Sequence, residues 1–453
     1  MSNLEFNKTV VATEAIGENE ELLHQKYDYT QIDDEMNIIV GIDGGSTQTR
    51  CAILSAVHQD PSTLYVIPSI CSLVKTGKEI KSADEKLYNN LDSYVMCLDK
   101  AADKPNNELQ FINARIIRGG KFFNEGLPET FIESSHSKIR TPLFYLNVID
   151  SIGYTLVQSH AGAIPKKVNV RLGVALPNDD VNPKNLEYFY KQMKGSYQWS
   201  LSNSDVKIII EVVDVEAITE PESFIKAYTI ETGLEVPEYQ LHIEVGGRSS
   251  GSELLRNGVP VTTASKAFNY GGNQLMDMLA NEIVADFGGK RPTRAQLQRA
   301  LVTGTIKKGR NSTEVTAQIT RVKDLLAEKL FKEIMRDVFD TNPLISFEDV
   351  EVITFSGRTF NTGDYDYSLA TKLEELFDER NPGNIEFERI EGNYIPLGLI
   401  YTVFGEDGQA FLYEGFGDEE EEELEEEELH NEVLEVEAGS IEGEMLEIDR
   451  IVE

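Results

Sequence analysis

Short runs of apolar, often β-branched residues interrupt the polar body of the chain and predict buried strands. The first two runs, Asn37–Ile42 and Cys51–Leu54, flank a polar loop rich in glycine. A second pair, Tyr239–Ile243 and Glu253–Leu255, flanks a similar loop in the other half of the chain. Because the same hairpin pattern occurs twice, the sequence predicts two similar lobes, each built on a mixed sheet.

Further segments continue an alternation of strands and helices. Pro177 is expected to end the strand before it, and Pro221 suits the first turn of a helix that follows Thr219 or Glu220. In two later segments apolar residues recur at helical spacing, which predicts amphipathic helices. The predicted strands are 170–176 and 207–213, and the predicted helices are 221–228, 270–286 and 312–339. This alternation indicates an α/β fold.

Charge is distributed unevenly along the chain. The 453 residues include 42 Lys or Arg and 78 Asp or Glu, for a net charge of −36. Residues 418–453 hold 18 acidic residues against the single Arg450, and their few apolar groups cannot offset the entropy cost of ordering the chain. We therefore expect a disordered tail, either a solvated extension or an electrostatic docking segment. The predicted organisation is a polar extension (1–35), a first lobe (36–200), a second lobe (201–405) with a cleft between the lobes, and the acidic tail (406–453).

The composition also limits the partners and the location. A chain this acidic repels nucleic-acid phosphates unless its few cations are concentrated on one face, so direct nucleic-acid binding is not expected. The cysteines Cys51, Cys71 and Cys97 lack metal-binding spacing, which fits reduced thiols in the cytosol. No run reaches the roughly 18 apolar residues of a membrane span, and no signal-peptide pattern is present. We expect a cytoplasmic protein without membrane contact.

Both predicted loops have the composition of a phosphate-binding turn. Consecutive glycines let backbone N–H groups point toward one anion, and each loop follows an acid at the end of a strand. A carboxylate beside a phosphate is repelled unless a cation lies between them, and Mg²⁺ with retained water is the usual mediator. We therefore predict that the carboxylates of Asp43 and Glu244 bind the Mg²⁺ ion, through water molecules. The predicted phosphate-binding residues are Gly44, Gly45, Ser46 and Thr47 in the first loop and Gly246, Gly247, Arg248 and Ser249 in the second.

The motifs resemble those of the actin/Hsp70/sugar-kinase superfamily, and within it the bacterial actin-like ParM/StbA proteins. The resemblance spans roughly residues 36–405 and lies in six motifs in the family's order: Asp43–Thr49, Gly173–Pro177, Pro221–Ser223, Glu244–Gly251, Gly271–Asn273 and Thr354–Arg358. It implies a two-lobed actin-like ATPase fold, in which each lobe is a duplicated RNase H-like mixed sheet with flanking helices. The departures are Glu244 where Asp is usual, Arg248 where a small residue is usual, and a single glycine, Gly357, in the last motif.

The resemblance also implies roles for individual residues. Glu222 matches the acid that orients the attacking water, although a glutamate near a helix start is also favoured by the helix dipole alone. Lys307 lies where the superfamily often has cationic contacts to the nucleoside, or else it is an ordinary exposed lysine. The implied adenosine-binding residues are Gly271, Gly272, Asn273, Lys307, Gly357 and Arg358.

The implied function is that of an actin-like ATPase whose nucleotide-dependent filaments segregate plasmid or other DNA. The implied cofactors are Mg²⁺ and ATP, with GTP as an alternative. The implied partners are further copies of the chain and a ParR-like DNA-binding adaptor, because the chain is too acidic to hold DNA itself. Two alternatives use the same scaffold: a small-molecule kinase, which needs a base aimed at a substrate, and an Hsp70-like ATPase, which needs a peptide-binding domain after Gly357.

Overall fold

The computed structural model describes most of the chain between Thr30 and Glu414. The described residues are 30–45, 48–69, 71–75, 91–98, 114–118, 137–160, 162–201, 204–247, 249–285, 288–308, 311–357, 359–360, 368–390 and 394–414. Four predicted site residues lie outside them: Ser46, Thr47, Arg248 and Arg358. Within the described ranges, the structure contains no helix with the length and apolar character needed to cross a membrane.

Nine strands form the sheet of the first lobe. They are β1 (Gln31–Gly44), β2 (Gln48–Ser55), β3 (Tyr65–Pro68), β4 (Cys71–Lys75), β5 (Leu91–Cys97), β6 (Ala114–Arg118), β7 (Ile164–Leu176), β8 (Gly195–Leu201) and β9 (Lys207–Thr219). Their order is β3-β2-β1-β7-β9-β8-β5-β6-β4, with β1 antiparallel to β2 and parallel to β7. Helices α1 (Pro142–Ser159) and α2 (Pro183–Met193) pack on this sheet, and α3 (Glu220–Thr232) follows β9.

The second lobe has a smaller sheet. Its strands are β10 (Tyr239–Val245), β11 (Ser250–Arg256), β12 (Val259–Pro260), β13 (Lys266–Phe268), β16 (Val352–Ser356) and β17 (Glu386–Arg389), while β14 (Thr305–Lys308) and β15 (Asn311–Glu314) form a separate hairpin. Its helices are α4 (Gly272–Ile283), α5 (Arg294–Thr303), α6 (Thr316–Ile334), which continues as a π-helix (Met335–Asp340), and α7 (Leu369–Arg380). The predicted helix 312–339 therefore starts later than expected, because residues 311–314 pair as a strand.

Each lobe contains a central unit of the same topology. In each, a strand is antiparallel to the next strand in the chain and parallel to a later one: β1 with β2 and β7, and β10 with β11 and β16. The two hairpins also have the same register, since Asp43 pairs with Arg50 and Glu244 pairs with Gly251. The predicted two-lobed α/β fold is confirmed, and it brings an acid to the end of each central strand.

Helix α8 (Ile395–Phe404) packs on β1 and β7 of the first sheet and on α3, which in turn contacts β10 and β11 of the second sheet, so α8 and α3 together connect the two lobes. Glycine permits this close approach. A Cβ atom on Gly41 would lie 2.0 Å from the carbonyl oxygen of Pro396, and a Cβ atom on Gly398 would lie 1.8 Å from that of Ser223. At the same crossing, Ser223 Oγ donates a hydrogen bond to the carbonyl oxygen of Ile395 at 2.7 Å. At these two glycines the contact of α8 with β1 and α3 is therefore backbone on backbone.

Three boundaries differ from the predicted ones. Strand β1 begins at Gln31, inside the predicted extension, because residues 31–35 already pair with β7. Strand β9 belongs to the first sheet, so the predicted boundary after residue 200 divides that sheet. Helix α9 (Gly408–Tyr413) lies in the predicted tail but contacts β1, where Asn37 Nδ2 donates to the carbonyl oxygen of Phe411 at 2.7 Å. The first two differences arise from strand pairing and the third from helix packing between distant segments, which local composition does not encode.

Candidate nucleotide and metal site

The first predicted phosphate loop connects β1 and β2. Asp43 is buried, at 5% exposure, and Gly44 still pairs with Thr49. Gly45 N donates to the carbonyl oxygen of Asp43 at 3.1 Å, and Ser69 Oγ donates to the carbonyl oxygen of Gly45 at 2.6 Å. The described part of the loop is thus held by β1 and by a serine that follows β3, which the sequence analysis did not single out.

The second predicted loop connects β10 and β11 and contacts the start of α4. Gly246 N donates to the carbonyl oxygen of Ser249 at 3.0 Å across the turn. From α4, Gly272 N donates to the carbonyl oxygen of Gly246 at 3.0 Å, and Asn273 N donates to that of Gly247 at 2.6 Å. These hydrogen bonds satisfy two N–H groups of the first helical turn and fix the loop against the helix.

The last predicted motif closes the other side of this loop. Gly357 has a φ of +103°, and a Cβ atom there would lie 2.6 Å from the carbonyl oxygen of Val245, so the position requires glycine. Thr359 Oγ1 donates to the carbonyl oxygen of Gly246 at 2.9 Å. The structure therefore brings together the second phosphate loop and the two predicted adenosine motifs around Gly271 and Gly357.

Three carboxylates and two cations meet between the lobes. Arg50 Nη1 donates to Asp43 Oδ2 at 3.2 Å. Lys138, in the 3-10 turn before α1, donates to Glu220 Oε1 at 2.7 Å. Glu244, one residue before the end of β10, is repelled by both Glu220 and Asp43. The cluster therefore has an excess of negative charge, and its acceptors are all oxygen atoms.

Burial and mutual repulsion change the acidity of this cluster. Burial raises the pKa of Asp43, and Arg50 opposes that shift. Burial raises the pKa of Glu244 well above its usual value, and repulsion from Glu220 and Asp43 adds to the effect. Burial alone would lower the pKa of Lys138, but attraction to Glu220 and Asp43 outweighs it, so that the pKa is raised. Lys138 thus stays charged, and further positive charge would stabilise the ionised carboxylates.

This donor set fits a hard divalent cation held through water. In the described part of the chain, no three His, Cys, Asp or Glu side chains converge closely enough to hold a metal ion directly. Mg²⁺ usually keeps several waters and takes one or two carboxylates. Asp43 and Glu244 offer two such carboxylates, and a cation near both would relieve the repulsion between them.

Glu220, rather than the predicted Glu222, lies in this cluster. Glu222 is half-buried at the start of α3, where its N–H donates to Thr219 Oγ1 at 3.1 Å. Burial raises the pKa of Glu222, and the charge that opposes this shift is Lys226, outside the cluster. Residues two apart on a helix do not share a face, which explains why the two acids have different neighbours. The sequence did not distinguish them because both suit a helix start.

Two cations of the cluster were not assigned from the sequence. Arg50 could have been found from the hairpin register, since it lies opposite Asp43 on the paired strand. Lys138 has no local signal, because only the tertiary structure brings it to Glu220, 82 residues later in the chain.

The adenosine side of the site also differs from the expectation. Arg294, the first residue of α5, donates to Asn273 Oδ1 and so adds a cation that the sequence analysis did not assign. The predicted Lys307 is exposed on β14, where its carbonyl oxygen accepts from Gln296 Nε2 at 3.0 Å. No described side-chain contact joins Lys307 to either loop, so its assignment to the nucleoside stays a prediction.

A further buried carboxyl group links the lobes. Glu253, on β11, is 1% exposed and accepts hydrogen bonds from Thr219 Oγ1 at 2.6 Å and Ser265 Oγ at 3.2 Å. Burial raises its pKa to about 7, the hydrogen bond from Thr219 opposes this shift, and repulsion from Glu222 adds to it. Thr219 is the last residue of β9 in the first lobe, and Glu253 lies in the second. The protonation state of Glu253 therefore affects a hydrogen bond between the lobes.

We expect Glu253 to reduce stability as the pH rises. Between pH 4.5 and about 7 the folded protein keeps a proton that the unfolded chain has lost, so the free energy of unfolding falls with increasing pH. This loss is about 3 kcal/mol once the pH exceeds the folded-state pKa. Glu253→Gln should remove it, so that the variant gains stability over the wild type across this window in urea unfolding. Glu187→Gln, at an exposed position, is the control, and parallel pH curves for Glu253→Gln and wild type would contradict the prediction.

Each lobe contains the same type of central hairpin unit, and a charged site lies between the lobes. Both features are found in the actin-like fold. The archaeal actin homologue Ta0583 matches with a TM-score of 0.58 at 13% identity, over 81% of this chain and 98% of that one. The psk41 ParM protein matches with a TM-score of 0.53 at 14% identity, over 83% and 99% of the two chains. Bacillus thuringiensis ParM, solved with ATP, matches with a TM-score of 0.53 at 13% identity, over 81% and 98%. The chain therefore has the actin-like fold, and the resemblance to ParM proteins is confirmed at the level of the fold.

Sequence comparisons do not assign the chain to a family. Neither a family model nor a curated protein matches the chain. The identity to these three solved structures is 13–14%, a range in which the fold is shared while the activity has to be argued from the site.

Proposed function

We propose that this protein is an actin-like ATPase that binds Mg²⁺ and ATP between its lobes. The observation that carries the proposal is the pair of hairpins with equal register, whose acids Asp43 and Glu244 come from different lobes and yet interact. A triphosphate held by both loops at once would suit this arrangement. Bacillus thuringiensis ParM was solved with ATP and Ta0583 with ADP, which supports adenine over the alternative, GTP.

The two loops would bind the phosphates directly, and the two acids would bind them through a metal ion. Residues 44–47 and 246–249 would hold phosphate oxygens through their hydroxyls and through those backbone N–H groups that, unlike Gly45 N and Gly246 N, do not already bond within the turn, with the Arg248 guanidinium as an added cation. Asp43 and Glu244 would hold Mg²⁺ through water, and the ion supplies neutralisation of the phosphate charge. The motifs Gly271–Asn273 and Gly357–Arg358 would border the adenosine.

The remaining charges of the cluster suit the hydrolytic step. Glu220 can accept a hydrogen bond from the attacking water and orient it, which is the role that the sequence assigned to Glu222. Lys138 holds the Glu220 carboxylate at 2.7 Å and thereby fixes its direction. The raised pKa of Lys138 keeps this cation charged at neutral pH, where it also favours the anionic product.

Nucleotide binding would drive assembly into filaments that segregate plasmid or other DNA through a ParR-like adaptor. The fold shared with ParM supports this part of the proposal. With a net charge of −36 the monomers repel one another, so moderate salt should strengthen assembly as the screening length falls to about 8 Å.

Light scattering and sedimentation of the purified chain, with and without Mg²⁺ and ATP, test the proposal. We expect assembly that requires the nucleotide and that decays as ATP is consumed. Hydrolysis without assembly at every salt and protein concentration would remove the filament claim, and turnover that rises with an added sugar or acid would favour the kinase alternative. Absence of nucleotide binding would overturn the whole proposal.

A further inference from the structure

Exposed apolar side chains are concentrated at one end of the second lobe. Ten large apolar side chains are exposed in the described part of the chain, and five of them lie at the end where β10 and β16 begin. We call this end the foot. Its exposed apolar residues are Ile230, Leu234, Val236, Val259 and Leu344, of which Leu344 is 95% exposed. A cluster of this kind marks a surface that contacts another protein.

Contacts between neighbouring segments bring these residues to one surface. Val236 lies against the turn between β11 and β12, since a Cβ atom on Gly258 would lie 3.1 Å from Val236 Cγ1, and Val259 is the next residue along the chain. The segment that leads into β16 reaches the same turn, because Asn342 Nδ2 donates to the carbonyl oxygen of Thr263, just after β12, at 3.3 Å. Helix α3 also ends here, since residues 233–238 alone separate it from β10. These segments therefore form one apolar surface.

Acidic side chains surround these apolar groups. Six exposed acids lie in the segments that lead into β10, β16 and β17 or at the start of those strands: Glu235, Glu238, Glu348, Asp349, Glu351 and Glu386. Glu238 pairs with Arg256 at 3.4 Å. The described part of the chain provides no ion pair for the other five. A surface that covers the foot would therefore have to supply positive charge together with apolar contact.

A second exposed surface of the same lobe has this character. Residues 288–307 contain five basic residues and no acidic one, although the whole chain carries a net charge of −36. We call these exposed cations the basic end: Lys290, Arg291, Arg294, Arg299 and Lys307. Arg291 pairs with Asp277. Lys290 and Arg299 have no ion-pair partner among the described residues. Val302, on the same helix as Arg299, is 48% exposed and adds an apolar group.

Helix α6 separates the two surfaces. It begins beside the basic end, where Val315 N donates to the carbonyl oxygen of Gly304, the residue that ends α5, at 2.8 Å. It then spans 19 residues, about 28 Å, and its π-helical continuation ends at Asp340, four residues before Leu344. The foot and the basic end therefore lie at opposite ends of the lobe, too far apart to contact each other within one chain.

We propose that the foot of one chain binds the basic end of a second copy. The two surfaces have opposite charge, and each presents exposed apolar side chains, so one contact would bury apolar groups and bring the charges together. The contact joins different surfaces at opposite ends of a lobe, so each added chain leaves a free surface for the next and the assembly stays open. It would be the contact through which the proposed filaments form, so it rests on that part of the proposed function.

The net charge of the chain does not prevent this contact. At physiological ionic strength the screening length is about 8 Å, which is short compared with the length of α6. Charges elsewhere on the chain are therefore largely screened at the interface, and the local charges of the foot and the basic end decide the attraction. Moderate salt lowers the overall repulsion between two chains of charge −36 more than it lowers the attraction between groups in contact.

Two variants, one for each surface, test the contact. Leu344→Asp/Val259→Asp adds negative charge to the foot in place of apolar groups that are 95% and 65% exposed, so the core is not disturbed. Lys290→Glu/Arg299→Glu reverses two cations of the basic end and leaves unchanged the two cations on the adenosine side of the candidate site. We expect each variant alone to raise the protein concentration needed for sedimentation with Mg²⁺ and ATP by about tenfold or more, because each loses one of the two partner surfaces.

Mixing the two variants identifies which surfaces meet. The first variant keeps its basic end and the second keeps its foot, so one intact contact can form, while the two altered surfaces are both acidic and repel each other. We expect an equal mixture with Mg²⁺ and ATP, at a protein concentration well above that at which the wild type assembles, to form a dimer of one chain of each kind. Sedimentation velocity measures this dimer, which neither variant forms alone.

Matched variants in the first lobe control for the changes of charge and polarity. Val57→Asp/Leu98→Asp and Lys184→Glu/Lys207→Glu make closely similar replacements at exposed positions, and we expect them to assemble within a few-fold of the wild-type concentration. Binding of a fluorescent ATP analogue is measured for every variant. Retained binding shows that the chain is folded, and it separates a failure of the contact from a failure of the proposed nucleotide site.

Four results would overturn the inference. Assembly of either surface variant at the wild-type concentration would leave that surface free for a different partner. Absence of the mixed dimer would show that the foot and the basic end do not face each other. Wild-type chains that stop at a dimer would indicate contact between like surfaces. Wild-type chains that bind ATP but never assemble would remove the filament and this contact together, while the nucleotide site would stand.

Discussion

Glu220→Gln is expected to lower the rate of ATP hydrolysis by about 100-fold or more, the usual contribution of a positioned general base. The amide can still accept the hydrogen bond from Lys138, so the geometry of the cluster is retained, but it cannot take a proton from water. Nucleotide affinity should hold or improve, because Glu220 repels both Asp43 and Glu244 and would also repel a phosphate. Single-turnover hydrolysis and equilibrium nucleotide binding measure the two effects separately. Filaments of this variant should persist after the wild-type polymer has decayed.

Glu222→Gln is the matched control for that experiment. It makes the same chemical change two residues away, on the same helical turn and at a half-buried position. We expect its hydrolysis rate to stay within a few-fold of the wild type. If Glu222→Gln loses the activity and Glu220→Gln keeps it, the assignment based on the family motif is right and the one based on the charged cluster is wrong.

Gly398→Ala is expected to lower the free energy of unfolding by about 3 kcal/mol or more. Alanine in a helix normally gains up to about 1 kcal/mol over glycine. Here the added Cβ atom would lie 1.8 Å from the backbone carbonyl oxygen of Ser223, so α8 and α3 must move apart. Because the obstacle is backbone, no change of rotamer relieves it. Urea unfolding monitored by circular dichroism measures the loss.

Gly162→Ala provides the comparison for this substitution. A Cβ atom on Gly162 would meet nothing within 4 Å, so the same change of residue should leave the stability within about 0.5 kcal/mol of the wild type. Equal stability of Gly398→Ala and wild type would show that the two helices do not cross as closely as the structure has them.

Local patterns were sufficient to predict the central elements. The runs Asn37–Ile42 and Tyr239–Ile243 are short and apolar, and both proved to be central strands. Each run is followed by an acid and two glycines, and this local spacing carried the prediction of two related hairpins. Thr219 and Pro221 likewise predicted the start of α3, where Thr219 caps the helix. These features depend on neighbouring residues, so the sequence contains them directly.

The composition of the site depended instead on contacts between distant segments. Lys138 reaches Glu220, and Thr219 reaches Glu253 in the other lobe. Nothing in the residues around Lys138 or Glu253 marks these pairs, because their partners are brought near only when the lobes pack. The choice between Glu220 and Glu222 has the same origin, since both acids suit a helix start and only one side of that turn faces Asp43 and Glu244.

The sequence by itself thus determined the repeated hairpins, their acidic strand ends and the segregation of charge along the chain. Each of these follows from local hydrophobic spacing or from composition. The tertiary structure alone decided which acid joins the cluster, which cations balance it and where each lobe ends. Those outcomes depend on strand pairing between distant segments and on the close crossing of α8 with α3, where the absence of a side chain at Gly398 lets two backbones meet.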